Sequence, residues 1–181
     1  MNFIERKDNL LTKKECADAI EWVLKHKIMI PDSNKETTSG YDYCNLMDEG
    51  EDRHQCFSSI PLRPIYRAMN TLKDFYIKSF PEVQWIDPWT LQYVRFKWWK
   101  PGYSFSNWHS EHDSFNTKRV MSFLISLSDN DSFTEFKRYR NVPTRAGRGI
   151  MFPSYFTHTH RGSPCKKGLD RYMISGYYYF V

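Results

Sequence analysis

The run Trp108-His109-Ser110-Glu111 sets an imidazole and a carboxylate two residues apart. On an extended strand residues i and i+2 point the same way, so these two side chains can hold one ion between them. A third ligand has to come from elsewhere, and His158 and His160, themselves at i and i+2, stand further along the chain. Two imidazoles with one carboxylate make the facial set that holds Fe(II) and leaves the opposite positions open for a cosubstrate and oxygen. A guanidinium downstream would then offer a fork to an anionic cosubstrate. Spacing leaves His158 and His160 equivalent, and it leaves Asp113 as a rival to Glu111. The chain has six histidines, so one His-x-Glu spacing also arises by accident, as an exposed polar turn.

Such a set needs a frame. At 181 residues the chain suits one domain, 1–181, with room for a sizeable core. It divides into a helical N-terminal part, 1–89, and a stranded part, 90–181. Aromatic residues are 17% of the chain and crowd its second half, which favours strands there over a helix bundle. The net charge of +5 permits an acidic partner, but the basic residues are spread out and mark none, so nucleic acid is not favoured. No stretch approaches the roughly 20 apolar residues of a membrane span. Cys16, Cys44, Cys56 and Cys165 show no Cys-x-x-Cys spacing, and Met1 to Asp8 breaks into charge before an apolar run forms. Reduced cysteines and a cytoplasmic location are the expectation.

Thr12-Lys13-Lys14-Glu15 is a capping box, so a helix should start there, with Cys16, Ile20, Val23 and Leu24 as its apolar stripe. Pro64 should open a second helix carrying Ile65, Met69, Leu72, Phe75 and Tyr76, ending at Ser79-Phe80-Pro81. Between them, about 31–59 is polar without sustained period and is expected to be a long loop, a substrate lid being one use of such a loop.

From Thr90 the period changes. Gln92 to Trp98 alternates, with Val94, Phe96 and Trp98 on one face and Arg95 and Lys97 on the other. Arg119 to Ser128 places Met121, Phe123, Ile125 and Leu127 opposite Ser122, Ser126 and Ser128. Phe133–Phe136, Gly149–Phe152 and Arg171–Val181 are further strands. Short strands at close spacing point to a sandwich or small barrel of jelly-roll character, buttressed by the two helices.

The ordered motifs carry more than spacing does. Lys100-Pro101-Gly102 leads to Trp108-His109-Ser110-Glu111; Arg119-Val120 leads to Leu127-Ser128-Asp129; then come Thr134-Glu135-Phe136, Gly149-Ile150-Met151-Phe152-Pro153, His160-Arg161-Gly162-Ser163-Pro164, and Gly168, Arg171 and Tyr172. In this order they resemble the catalytic domain of Fe(II)/2-oxoglutarate-dependent oxygenases of the prolyl 4-hydroxylase-like group, from about Leu91 to Phe180. The resemblance implies a mainly β (α+β) fold with a double-stranded β-helix (jelly-roll) core at 90–181. It implies His109, Glu111 and His160 as metal ligands, the histidine four residues before Pro164 being the one preferred over His158. Arg171 falls where the family binds the far carboxylate of 2-oxoglutarate.

The implied cofactors are Fe(II), 2-oxoglutarate and O2, with ascorbate as a further candidate. The implied reaction is hydroxylation of a protein or peptide side chain such as proline, with succinate and CO2 as coproducts. A nucleobase or small metabolite is the alternative substrate, and a non-catalytic jelly-roll binding module the alternative class. Three departures from the family pattern stand out: Glu111 is found where many relatives carry Asp, Ser132 and Phe133 replace paired glycines, and Trp99 replaces a tyrosine that bonds 2-oxoglutarate. Tyr93 and Tyr103 are candidates for that lost contact.

Overall fold

The computed structural model describes residues 2–32, 40–85, 89–166 and 168–180. Thr12 caps helix α1 (Lys13–His26) as its sequence requires: its hydroxyl oxygen accepts from the Glu15 backbone N–H at 3.2 Å, and the Glu15 carboxylate accepts from the Thr12 N–H at 2.8 Å. Two donors that a helix start leaves without partners are thereby satisfied. Cys16, Ala19 and Val23 form the buried stripe, whereas Leu24, expected on it, is exposed because it lies one position past the stripe's edge. Thr12→Ala is expected to lower stability by about 1 kcal/mol, read as a lower urea midpoint with an unchanged slope. An unmoved midpoint would show that the cap contributes nothing.

After a single helical turn, α2 (Arg53–Cys56), comes α3 (Arg63–Ser79), which opens on Pro64 and ends before Phe80-Pro81. Ile65, Ala68, Met69, Leu72 and Tyr76 are its buried face. Phe75 is only half-buried, with the Lys7 ammonium 4.7 Å from its ring centre.

The strands are β1 (Glu5–Lys7), β2 (Ile30–Pro31), β3 (Tyr41–Met47), β4 (Trp89–Trp99), β5 (Arg119–Ser126), β6 (Phe133–Phe136), β7 (Val142–Pro143), β8 (Gly149–Pro153), β9 (His160–Gly162) and β10 (Arg171–Phe180). Among the described residues they form two sheets, a seven-stranded one ordered β1-β8-β5-β10-β4-β3-β2 and a three-stranded one ordered β7-β6-β9. Every pairing is antiparallel. The protein is thus mostly antiparallel sheet with few helices.

Strand alternation sorts side chains between two layers. Val94, Phe96, Phe123, Ile125, Met151 and Ile174 point to the helices and join Val23, Ile65, Met69 and Leu72 in the main core. Their neighbours point the other way, where Ile150 and Phe152 meet Phe136 of the small sheet, with the Phe136 and Phe152 rings 5.0 Å apart and nearly perpendicular. On that second face, Tyr93, Arg95, Lys97 and Trp99 of β4, Leu124 of β5 and Arg171, Met173 and Tyr177 of β10 line a cavity.

The loop expected over about 31–59 is corrected by β3, which pairs with β4 from Tyr41↔Trp99 to Met47↔Val94. The register shifts between Asn45 and Met47, and this bulge breaks the alternation by which a strand is recognised. Residues 33–39, part of the expected lid, lie outside the described residues. All four cysteines are free thiols, and no helix among the described residues is long and apolar enough to cross a membrane.

Candidate active site

His109 and Glu111 do not share a strand, contrary to the expectation from their spacing. His109 forms an isolated bridge with His160, each backbone N–H donating to the other's carbonyl at 3.1 and 2.9 Å. The chain then bends, and the N–H groups of Glu111 and His112 both donate to the Ser154 carbonyl at 3.0 and 2.9 Å. This bend turns the glutamate side chain back toward the two rings. The ligand atoms offered by His109, Glu111 and His160 all lie within 4.8 Å of one another. Glu111 Oε1 is 3.5 Å from His109 Nε2 and 3.7 Å from His160 Nε2.

The backbone selects the tautomer of each ring. His109 Nδ1 lies 2.9 Å from the Asn107 carbonyl and His160 Nδ1 3.0 Å from the His158 carbonyl. A carbonyl only accepts, so Nδ1 must donate and the lone pair is left on Nε2. Both Nε2 atoms then face a carboxylate oxygen, three electron-rich atoms gathered with nothing between them to share. That donor set fits a cation, in the arrangement expected for metal-bound imidazoles held through their far nitrogens. Burial pushes His160 away from protonation, though the Glu111 carboxylate opposes this. Burial alone would raise Glu111, but the His109 and His160 rings beside it hold it well below the usual carboxylate range.

Arg119, unassigned by the sequence beyond its strand, fixes the other carboxylate oxygen. Its Nη1 reaches Glu111 Oε2 at 3.5 Å, Nε donates to Gln92 Oε1 at 2.9 Å, and Nη2 donates to the Tyr93 hydroxyl. The guanidinium lies 4.0 Å from the Tyr177 ring centre. With Oε2 engaged, Oε1 is the oxygen presented to the imidazoles. Asp113 is placed differently: its carboxylate accepts from the Phe115 and Asn116 N–H groups at 2.8 and 2.9 Å and belongs to a turn outside the three-residue cluster. His158 also points elsewhere, its Nε2 donating to the Asn2 carbonyl at 2.8 Å.

Arg171 is 2% exposed and sits beside Trp99 in the β4–β10 register, its guanidinium 5.2 Å from a Trp99 ring centre. Its Nη2 meets Thr134 Oγ1 at 3.4 Å and its Nε has no partner. Burial pushes its pKa down to about 10, and no carboxylate pairs with it among the described residues. A Cβ at Gly162 would stand 2.9 Å from Arg171 Nη1, so glycine is what leaves the guanidinium its room. A buried cation of this kind fits an anionic group of a ligand.

His109, Glu111, His160, Arg119, Thr134 and Arg171 line one cavity of about 550 Å³, together with Tyr41, Arg95, Lys97, Phe105, Leu124, Arg161 and Met173, whereas His158 is not in its wall. Tyr93 lines it with its hydroxyl engaged by Arg119, whereas Tyr103 is 49% exposed and lies outside the lining. Burial pushes Lys97 down to about 8 against the opposing pull of Glu111. The sequence put Arg95 and Lys97 on one strand face and Lys97 in a basic-aromatic run, Lys97-Trp98-Trp99-Lys100, but assigned neither to this site, and Tyr41 carried no signal. Alternation sets Arg95 and Lys97 on the face away from the core, and nothing in the period says whether that face meets water or a cavity.

No family model matches the sequence, and no curated protein matches it. Solved structures share the fold. Over 99% of this chain and 97% of the other, it superimposes on the viral collagen prolyl hydroxylase of Paramecium bursaria chlorella virus 1 in its 2OG complex, at TM-score 0.69 and 18% identity. A prolyl-4-hydroxylase from Pseudomonas putida matches over 100% and 94% of the two chains at TM-score 0.71 and 14% identity. The α-ketoglutarate-dependent carbocyclase SnoK of nogalamycin biosynthesis matches over 99% and 80% at TM-score 0.70 and 12% identity.

Proposed function

We propose that this protein is an Fe(II)- and 2-oxoglutarate-dependent dioxygenase on a double-stranded β-helix core, hydroxylating a protein or peptide side chain such as proline and yielding succinate and CO2. The observation that carries the reading is the convergence of His109 Nε2, His160 Nε2 and Glu111 Oε1 in one cavity with the buried, unpaired guanidinium of Arg171. The likeness in fold to a collagen prolyl hydroxylase supports the peptide class.

His109, Glu111 and His160 would hold the metal, and Arg171 the far carboxylate of 2-oxoglutarate. Bound iron supplies the redox chemistry by which oxygen splits 2-oxoglutarate and hydroxylates a C–H bond. The chain's own part is placement. The Asn107 and His158 carbonyls keep both imidazoles in the donor tautomer, and Arg119 keeps Glu111 presenting one oxygen. Phe152, its ring centre 4.9 Å from that of His160, helps bury that ring, and Phe105 packs 4.2 Å from the partly exposed His109.

Incubation with Fe(II), 2-oxoglutarate, ascorbate and oxygen tests the reading through succinate released and oxygen added to proline-containing peptides. Absence of succinate under every peptide would contradict it. The choice of carboxylate has its own test. Glu111→Ala is expected to lose the metal, whereas Asp113→Ala keeps it within about threefold, as equilibrium dialysis with Mn(II) would show; the reverse result transfers the role to Asp113.

A further inference from the structure

We propose, resting on the oxygenase reading, that the substrate brings an anionic side chain of its own, a carboxylate or phosphate, which docks on Lys97 and Arg95 in the cavity wall. The two cations stand at alternate positions of β4, where Val94 and Phe96 between and beside them enter the core and force both long side chains to the cavity side. Lys97 is half-buried. Its ammonium lies 5.5 Å from the Tyr41 ring centre, and it forms no ion pair among the described residues. Arg95 is held between the rings of Tyr43 and Tyr93, 4.7 and 4.5 Å away, and donates from Nε to Asn45 Oδ1 at 2.9 Å. It too has no carboxylate partner among the described residues. The rings and the amide pre-orient its fork without neutralising it.

The other charges of the cavity are already engaged. Arg119 holds Glu111, Arg161 pairs with Glu135, and Asp113 accepts the N–H groups of its own turn. The charges of a divalent iron, Arg119 and Arg171 outweigh those of Glu111 and a doubly charged 2-oxoglutarate, so the bound cosubstrate has no negative charge to spare. Loading the site therefore leaves Lys97 and Arg95 without a counter-ion. A partly desolvated cation with no partner costs stability, and a substrate anion would supply what the protein withholds. Both cations lie in the wall of a cavity and not along an outer surface track, so an acidic side chain near the target residue suits them better than a nucleic-acid backbone, which needs a line of exposed cations.

Calorimetry on the full chain with Mn(II) and saturating 2-oxoglutarate tests this, using acetylated Glu-Pro, phosphoserine-Pro, Gln-Pro and Lys-Pro peptides and a short single-stranded oligonucleotide. At least one acidic peptide should bind ten times more tightly than Gln-Pro, and Lys-Pro most weakly; the order of Glu-Pro and phosphoserine-Pro tells carboxylate from phosphate. Lys97→Met and, independently, Arg95→Gln should erase the preference while 2-oxoglutarate binds as before. Equal binding of Glu-Pro, phosphoserine-Pro and Gln-Pro, no binding of any peptide, or tighter binding of the oligonucleotide overturns the proposal. So does a tenfold loss of 2-oxoglutarate affinity in Lys97→Met, which would assign that lysine to the cosubstrate. If the unaltered protein binds no 2-oxoglutarate, the oxygenase reading fails and this inference with it; indifference to peptide charge removes this inference alone.

Discussion

His160→Ala is expected to weaken metal binding by more than about 100-fold and to abolish succinate formation while the protein stays folded. Altering a residue that only orients a metal ligand costs roughly 10- to 100-fold in affinity, so losing the ligand itself should exceed that range. The His160 ring is 4% exposed, lies against Phe136 and Phe152, and is locked through Nδ1 onto the His158 carbonyl. Its backbone bridge to His109 needs no side chain, which is why the fold should survive. His158→Ala is the control: its ring is held by the Asn2 carbonyl and Thr157, so Mn(II) affinity should change by less than about tenfold. Dialysis that finds His160→Ala binding metal normally would remove this residue from the ligand set.

Arg171→Met should move two quantities in opposite directions. The 2-oxoglutarate requirement should rise at least about 100-fold, because two charge-assisted hydrogen bonds at about 1.5–3 kcal/mol each are lost. Stability without ligand should increase. Burial holds the Arg171 pKa at about 10 against an ordinary 12.5, a penalty on the order of 3 kcal/mol. A base whose folded pKa is depressed carries that penalty in full below its folded pKa and sheds it only as pH climbs toward the unfolded value. At pH 7 methionine therefore removes the whole penalty and forfeits a 3.4 Å contact with Thr134 and the stacking on Trp99. A higher melting temperature with a much higher 2-oxoglutarate requirement is the expected pair. An unchanged requirement would mean that another group holds the anion.

The segments with one apolar face were legible in the sequence. The Thr12 capping box, the α3 stripe and the alternation of β5 each follow from a single period meeting a single core. Strand β3 was not legible, since Asp42 and Asn45 dilute its apolar residues and the bulge before Met47 resets its alternation. The gathering of His109, Glu111 and His160 was legible as residues but not as geometry. An i, i+2 pair on a strand was expected, whereas Glu111 stands on a bend held by Ser154, and its longer side chain reaches back to the rings. The separation of His158 from His160 came from resemblance; the structure adds the physical reason, a three-residue helical turn at Phe156–His158 that turns the first ring toward Asn2. Lys97 and Arg95 escaped notice because a polar strand face turned to a cavity has the same period as one turned to water; Arg119 escaped because alternation puts it with Met121 and Phe123, and the register shift at Tyr178–Tyr179 is not written in that period.

The central claim is that the His109, Glu111 and His160 cluster and Arg171 bind one metal and one 2-oxoglutarate together. Anaerobic titration of the metal-free protein with Fe(II) and then 2-oxoglutarate tests it most directly. The account predicts a visible charge-transfer band that saturates at one equivalent of each, fails to form in His160→Ala, needs far more 2-oxoglutarate in Arg171→Met, and gives way to succinate on admitting oxygen. A protein that stays colourless at saturating Fe(II) and 2-oxoglutarate and releases no succinate would contradict it, and would leave a jelly-roll binding module in place of an enzyme.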